Sequence, residues 1–151
     1  MPFSFARNRV CSLQQSVNTT VQALTTSFAA LAEFDTATGT PVKIEEGGLT
    51  AVASTAVVTV PSTGRYLCLL TATITPPAAT PTVTLAIKKG TTTIGGTINT
   101  HVCVSGVEFT LTTHCVADLV AGDTVRPAIM ATAAANHTTD EAMFTVLELT
   151  G

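Results

Sequence analysis

The sequence predicts an all-β protein, an antiparallel β-sandwich of jelly-roll topology, on the strength of two observations. Threonine supplies 31 of the 151 residues, and this β-branched side chain suits a half-buried pleated surface. From residue 35 onward, short alternating apolar runs recur between Gly, Pro and Asp punctuation, which is the spacing of a sandwich or jelly roll.

Residues 1–16 read as an arm outside the sheets. Phe3 and Phe5 alternate with small residues, Arg7 and Arg9 follow, and a polar Ser-Leu-Gln-Gln-Ser stretch closes the segment. Aromatic anchors beside arginines suit a docking segment, so Phe3, Phe5, Arg7 and Arg9 are the candidate partner-binding residues. The jelly-roll domain then spans 17–151. Residues 17–34 fit a helical period (Val17, Val21, Leu24, Phe28, Leu31) and a period of two (Leu24, Thr26, Phe28, Ala30) equally well. Interrupting Thr, Ser and Asn residues favour strands.

Asp35–Gly39 and Glu45–Gly48 read as turns. Pro61-Ser-Thr-Gly64 opens the run RYLCLLTATIT, where Tyr66, Cys68, Leu70, Ala72 and Ile74 share one face. Leu67 and Leu69 on the other face mark a central strand covered on both sides. Pro76, Pro77 and Pro81 forbid ladder pairing and mark a loop. Val83, Leu85 and Ile87 lead into a Lys-Lys-Gly turn, and Ala121-Gly122-Asp123 joins two later strands. The run MFTVLEL closes the chain.

Hydrophobic residues make up 46% of the chain and charged residues 11%, against a usual charged share of about 25%. So few charges ask for burial in an oligomer or lattice. The net charge of −3 and pI near 5.4 come without a basic stripe, which argues against nucleic acid as partner. No apolar run reaches the length of a membrane span. The opening MPFSFARNRVCSLQQ lacks the apolar core of a secretory leader. Without export, Cys11, Cys68, Cys103 and Cys115, which have no C-x-x-C spacing, are expected as four buried free thiols.

His101, Cys103, His114 and Cys115 are the residue types of a zinc site. His114 and Cys115 are neighbours on one strand and point to opposite faces, so they cannot converge on one ion without a bulge. No metal, cofactor or catalytic residue is expected. Nucleophilic catalysis needs a base and an orienting carboxylate, whereas the few carboxylates here sit mostly in turns, and the chain reads as a non-enzyme.

Phe34-Asp35, VTVPSTGRYLCLLTATI (58–74), VTLAIKKGTTTI (83–94), LVAGDTVRPAI (119–129) and MFTVLEL (143–149) occur in the order found in complement-type and tumour-necrosis-factor-like globular heads. The segment 34–149 resembles that superfamily, its phage and bacterial members above all. The resemblance implies a jelly roll assembled as a tight homotrimer. The closing strand is expected at the interface, through Phe144 and Val146 or the alternate set Met143 and Leu147.

The function expected from this reading is a homotrimeric decoration or cement protein, made in the host cytoplasm and bound to the major capsid protein on the outside of a phage virion. The arm would make the attachment, and the jelly roll would fold without residues 1–16. The alternative is a receptor- or glycan-binding head of a tail fibre, against which stand the single tyrosine and the absence of tryptophan. A secreted trimeric signalling ligand is disfavoured by the missing leader.

Overall fold

The computed structural model describes residues 9–15, 20–34, 41–77 and 81–149. Phe3, Phe5 and Arg7 lie outside the described residues. The strands are β1 (Val10–Gln15), β2 (Thr20–Leu24), β3 (Val42–Glu45), β4 (Thr50–Val52), β5 (Val57–Thr59), β6 (Gly64–Thr75), β7 (Thr82–Lys89), β8 (Thr92–Thr93), β9 (Asn99–Val102), β10 (Phe109–Leu119), β11 (Thr124–Ala131) and β12 (Ala135–Leu149). They form two antiparallel sheets. The first runs β10-β6-β12-β1-β3, with β2 also pairing β12. The second runs β4-β5-β11-β7-β8, with β9 also pairing β7. The protein is thus an all-β antiparallel sandwich of jelly-roll topology. No helix among the described residues is long and apolar enough to cross a membrane.

Strand β6 shows why this sequence makes this sandwich. Its side chains alternate strictly, so that Tyr66, Cys68, Leu70, Ala72 and Ile74 are all fully buried while the intervening residues face outward. Strand β12 repeats the pattern beside it with Ala142, Phe144 and Val146. Strand β7 answers from the second sheet with Val83, Leu85 and Ile87, and β11 with Val125 and Ile129. The turns follow their chemistry. Gly90 and Gly122 adopt positive φ (56° and 89°) after β7 and before β11, which costs glycine nothing. The Asp123 carboxylate accepts the Val120 N–H at 2.7 Å across the second turn.

Two expectations change. Residues 10–15 belong to the first sheet: β1 lies between β12 and β3, and Cys11 and Leu13 are fully buried. The alternation of Cys11, Leu13 and Gln15 was hidden by the polar residues between them. Among the described residues of 17–34, β2 (Thr20–Leu24) is followed by an isolated bridge from Ala29 to Ile129 and a 3-10 turn at Ala32–Phe34. The turn buries Leu31 and Phe34 together, and no α-helix forms among the described residues where the helical period ran.

His137 on β12 is buried. Its Nδ1 meets the Ala135 carbonyl oxygen at 3.1 Å, and its Nε2 has no partner among the described residues. Burial pushes its pKa below the ordinary 6.5. The unfolded chain therefore takes up the proton first, so the contribution of His137 is complete above that ordinary value and is lost as pH falls through the folded value.

Two outcomes are expected. Removing residues 1–16 takes out a paired internal strand and abolishes cooperative thermal unfolding, whereas Leu13→Ala costs about 2–5 kcal/mol in urea unfolding. Lowering the pH from about 7.5 to 5 lowers the urea midpoint, and His137→Gln flattens that dependence over the same interval.

Candidate functional site

The outward side of the first sheet is assembled by strand register. One row across it reads Val10, Leu147, Leu67, Val116. The next reads Ile44, Ser12, Thr145, Leu69, His114, and a third reads Val42, Gln14, Met143, Thr71, Thr112. A fourth holds Glu141, Thr73 and Thr110. Across these four rows Glu141 is the sole acidic side chain, and no Lys or Arg occurs. Val42, Ile44, Val116 and Met143 are all among the exposed large apolar residues.

The hydroxyls of this face already satisfy one another. Ser12 Oγ meets Thr145 Oγ1 at 2.9 Å, Thr71 Oγ1 meets Thr112 Oγ1 at 3.1 Å, and Thr73 Oγ1 meets Thr110 Oγ1 at 2.9 Å. A hydroxyl paired across strands loses less when water is removed than a solvated one. This five-strand face can therefore be covered at low cost. At its lower end the β12 register shifts between Thr139 and Glu141. Thr75 Oγ1 there donates to Asp140 Oδ2 at 2.9 Å. Beside that bulge lies a shallow hollow of about 180 Å³ lined by Gln14, Thr71, Thr73, Glu141 and Met143.

The closing-strand residues divide between the two sides of the sheet. Phe144 and Val146 are fully buried between the sheets, so the expectation that they meet a second protomer is corrected: a side chain on the inward phase of the strand has no outer surface. Met143 and Leu147 stand on the outward phase, in the rows just given.

Arg9, expected to reach a partner, is engaged within the protomer. Its Nη1 lies 3.3 Å from Glu148 Oε2 and also donates to Ser62 Oγ. Ser62 Oγ in turn donates to Glu148 Oε1 at 2.9 Å, and Tyr66 Oη donates to the Ser62 carbonyl at 2.9 Å. The Glu148 N–H closes the cluster on the Arg9 carbonyl at 2.9 Å. Gly47, at φ 69°, lets the chain pass against Arg9, where a Cβ would strike its side chain. Neither the serine nor the carboxylate was legible as Arg9's partner, since 139 residues separate the ion pair.

The candidate ligands of a zinc site are dispersed. His101 stacks on Phe109 with ring centroids 4.3 Å apart, Cys103 is buried beside the His101 carbonyl, and His114 faces outward while Cys115 faces inward. No group of three His, Cys, Asp or Glu side chains that could hold a metal exists among the described residues. The sequence reading missed the inner row Cys11, Val146, Cys68, Cys115. Cys68 and Cys115 stand directly opposite each other in the register, so that their thiols interact. That interaction raises the Cys68 pKa and lowers that of Cys115. Burial pushes Cys11 up to about 11.

With fold and surface described, comparison places the chain among known structures. No protein-family model matches it, and no curated protein matches its sequence. Solved structures match in fold. The globular domain of a zebrafish complement 1qA protein superposes with a TM-score of 0.60 at 12% identity, covering 94% of this chain and 98% of that one. Murine APRIL gives 0.59 at 15% identity, with 94% and 99% covered. The Eiger TNF of S. frugiperda gives 0.57 at 14%, with 95% and 94% covered. The protein therefore has the jelly-roll fold of tumour-necrosis-factor-like and complement-type globular heads, over nearly the whole chain.

All four cysteines are free and buried. Thiol titration in denaturant without reductant is expected to return four per chain, and native titration with a bulky reagent close to none.

Proposed function

We propose that the protein is a non-enzymatic structural module that assembles as a homotrimer and decorates the outside of a phage capsid. The observation that carries the self-association is the outer face of the first sheet, whose apolar side chains and mutually paired hydroxyls lie between Glu141 at one end and the Arg65–Asp118 ion pair at the other. In a chain with 11% charged residues such a face is the surface whose burial costs least, and closed symmetry hides a self-complementary patch. Met143 and Leu147, with Leu67 and Val116, would provide its apolar contacts. The homotrimer is also what the family likeness implies.

The capsid role rests on the small, sparsely charged module, its four free cysteines and a segment upstream of Val10 that holds Phe3, Phe5 and Arg7. The attachment assigned to that segment excludes Arg9, which Glu148 already engages. Three weak arms on one trimer add through effective concentration. The site of action would be the virion surface and the partner the major capsid protein. A receptor- or glycan-binding head of a tail fibre is the second reading, favoured by the hollow beside the β12 bulge.

Light scattering at micromolar concentration is expected to give a trimer. Leu147→Arg places a charge in the desolvated face and is expected to yield folded monomer. Removing residues 1–8, which leaves β1 whole, is expected to retain the trimer and lose attachment to particles in electron micrographs. A monodisperse wild-type monomer, or normal decoration by the shortened trimer, sinks the corresponding half of the proposal.

A further inference from the structure

The basic side chains are few enough to be followed one by one. Of the seven, six lie within the described residues. Four of these six meet a carboxylate: Arg9 with Glu148, Lys43 with Glu45, Arg65 with Asp118 and Lys89 with Asp123. The remaining two, Lys88 and Arg126, make no ion pair among the described residues. They stand directly opposite each other in the β7–β11 register, on the outward side of the second sheet.

This arrangement is costly. Like charges facing each other across an antiparallel pair repel and lower stability. The neighbouring groups relieve it little. On the other flank of β7, Lys88 faces Thr93. One step along the same side stand Ala86 and Ala128, a register pair of small buried residues that carry no charge. The Phe28 ring lies 5.6 Å from the Lys88 ammonium, a modest cation–π contact. Arg126 Nε is buried with no acceptor among the described residues. Lys89, one residue on, points to the opposite side of β7, and Asp123 is engaged by that lysine and by the Val120 N–H.

We propose that Lys88 and Arg126 form a binding site for a single oxoanionic group, a carboxylate, sulfate or phosphate carried by a partner molecule. The planar guanidinium can give two parallel N–H bonds to such a group, and the ammonium adds a point charge from across the strand gap. The anion converts a repulsive pair into two attractive ones, so the site is empty at a cost and filled at a gain. Phe28 supplies an apolar wall for the part of the partner to which the anion is attached. The site lies on the second sheet and does not depend on self-association through the first.

The test uses the full-length protein and three probes, sodium sulfate, sodium phosphate and sodium acetate, each compared with sodium chloride at matched ionic strength. Excluded salts such as sulfate stabilise any folded protein, so the readout is the difference in thermal midpoint between wild type and the double variant Lys88→Gln/Arg126→Gln. The wild type is expected to gain more from at least one probe, and the excess should vanish in the double variant. Acetate as the strongest probe points to an acidic protein side chain as the source, and sulfate or phosphate to a sulfated or phosphorylated partner. In chloride alone, Lys88→Gln is expected to raise the midpoint by relieving the repulsion. An equal response of wild type and double variant to all three probes, or a lowered midpoint for Lys88→Gln in chloride, overturns the proposal.

Discussion

The first sheet depends on the seating of β12 between β6 and β1. This strand runs 15 residues, pairs with β6 along most of its length, and carries β1 and then β2 on its other edge. Because side chains alternate along a strand, that double pairing commits every second residue to the core and every other one to the outside. The inward set, Phe144 and Val146 with Leu70 and Cys68 opposite, becomes the sandwich interior. The outward set, Glu141, Met143, Thr145 and Leu147, becomes the sparsely charged outer face. A one-residue slip would exchange the two, putting Met143 and Glu141 in the core. The Arg9–Ser62–Tyr66–Glu148 cluster works against such a slip. It fixes the start of β1, the entry to β6 and the end of β12 at one point, with a partly buried carboxylate whose partners exist in one register only.

Much of this was legible in the sequence because strand signals are local. The alternation in 64–75 and the Lys-Lys-Gly and Ala-Gly-Asp turns each occupy a few consecutive residues, and each appears in the structure where the pattern put it. The failure at β1 has a physical reason. Ser12 and Gln14 face outward among other hydroxyl and amide groups, so the strand lacks the apolar density that usually announces an internal position. Its neighbours in space, β12 and β3, could not be inferred from its own residues. In the described part of 17–34 the strand reading holds at β2, and a three-residue turn, too short to be the helix of the competing period, brings Leu31 and Phe34 into the core together.

Site-level features were less legible because they are relations between distant strands. The pairing of Lys88 with Arg126, the cysteine row and the hydroxyl pairs of the first sheet all arise from register. Register between strands tens of residues apart is not written in either strand alone. Composition did carry one of them in aggregate, since a chain this rich in threonine and poor in charge must present a neutral hydroxylated surface somewhere. It could not say that the threonines of β6 and β10 would stand opposite each other and satisfy their own hydrogen bonds.

The two outer faces of the sandwich therefore differ in what they can do. The first has its polar groups internally satisfied, so covering it with a similar surface leaves few hydrogen bonds unmade, and shape rather than charge decides what fits. The second holds two cations, Lys88 and Arg126, that meet no carboxylate among the described residues, so an anion would complete it and charge would decide what fits. The other four cations among the described residues each meet a carboxylate. The jelly roll makes the division possible by holding the two faces on opposite sides of one core. A change on either face leaves the packing of Tyr66, Leu70 and Phe144 beneath it untouched.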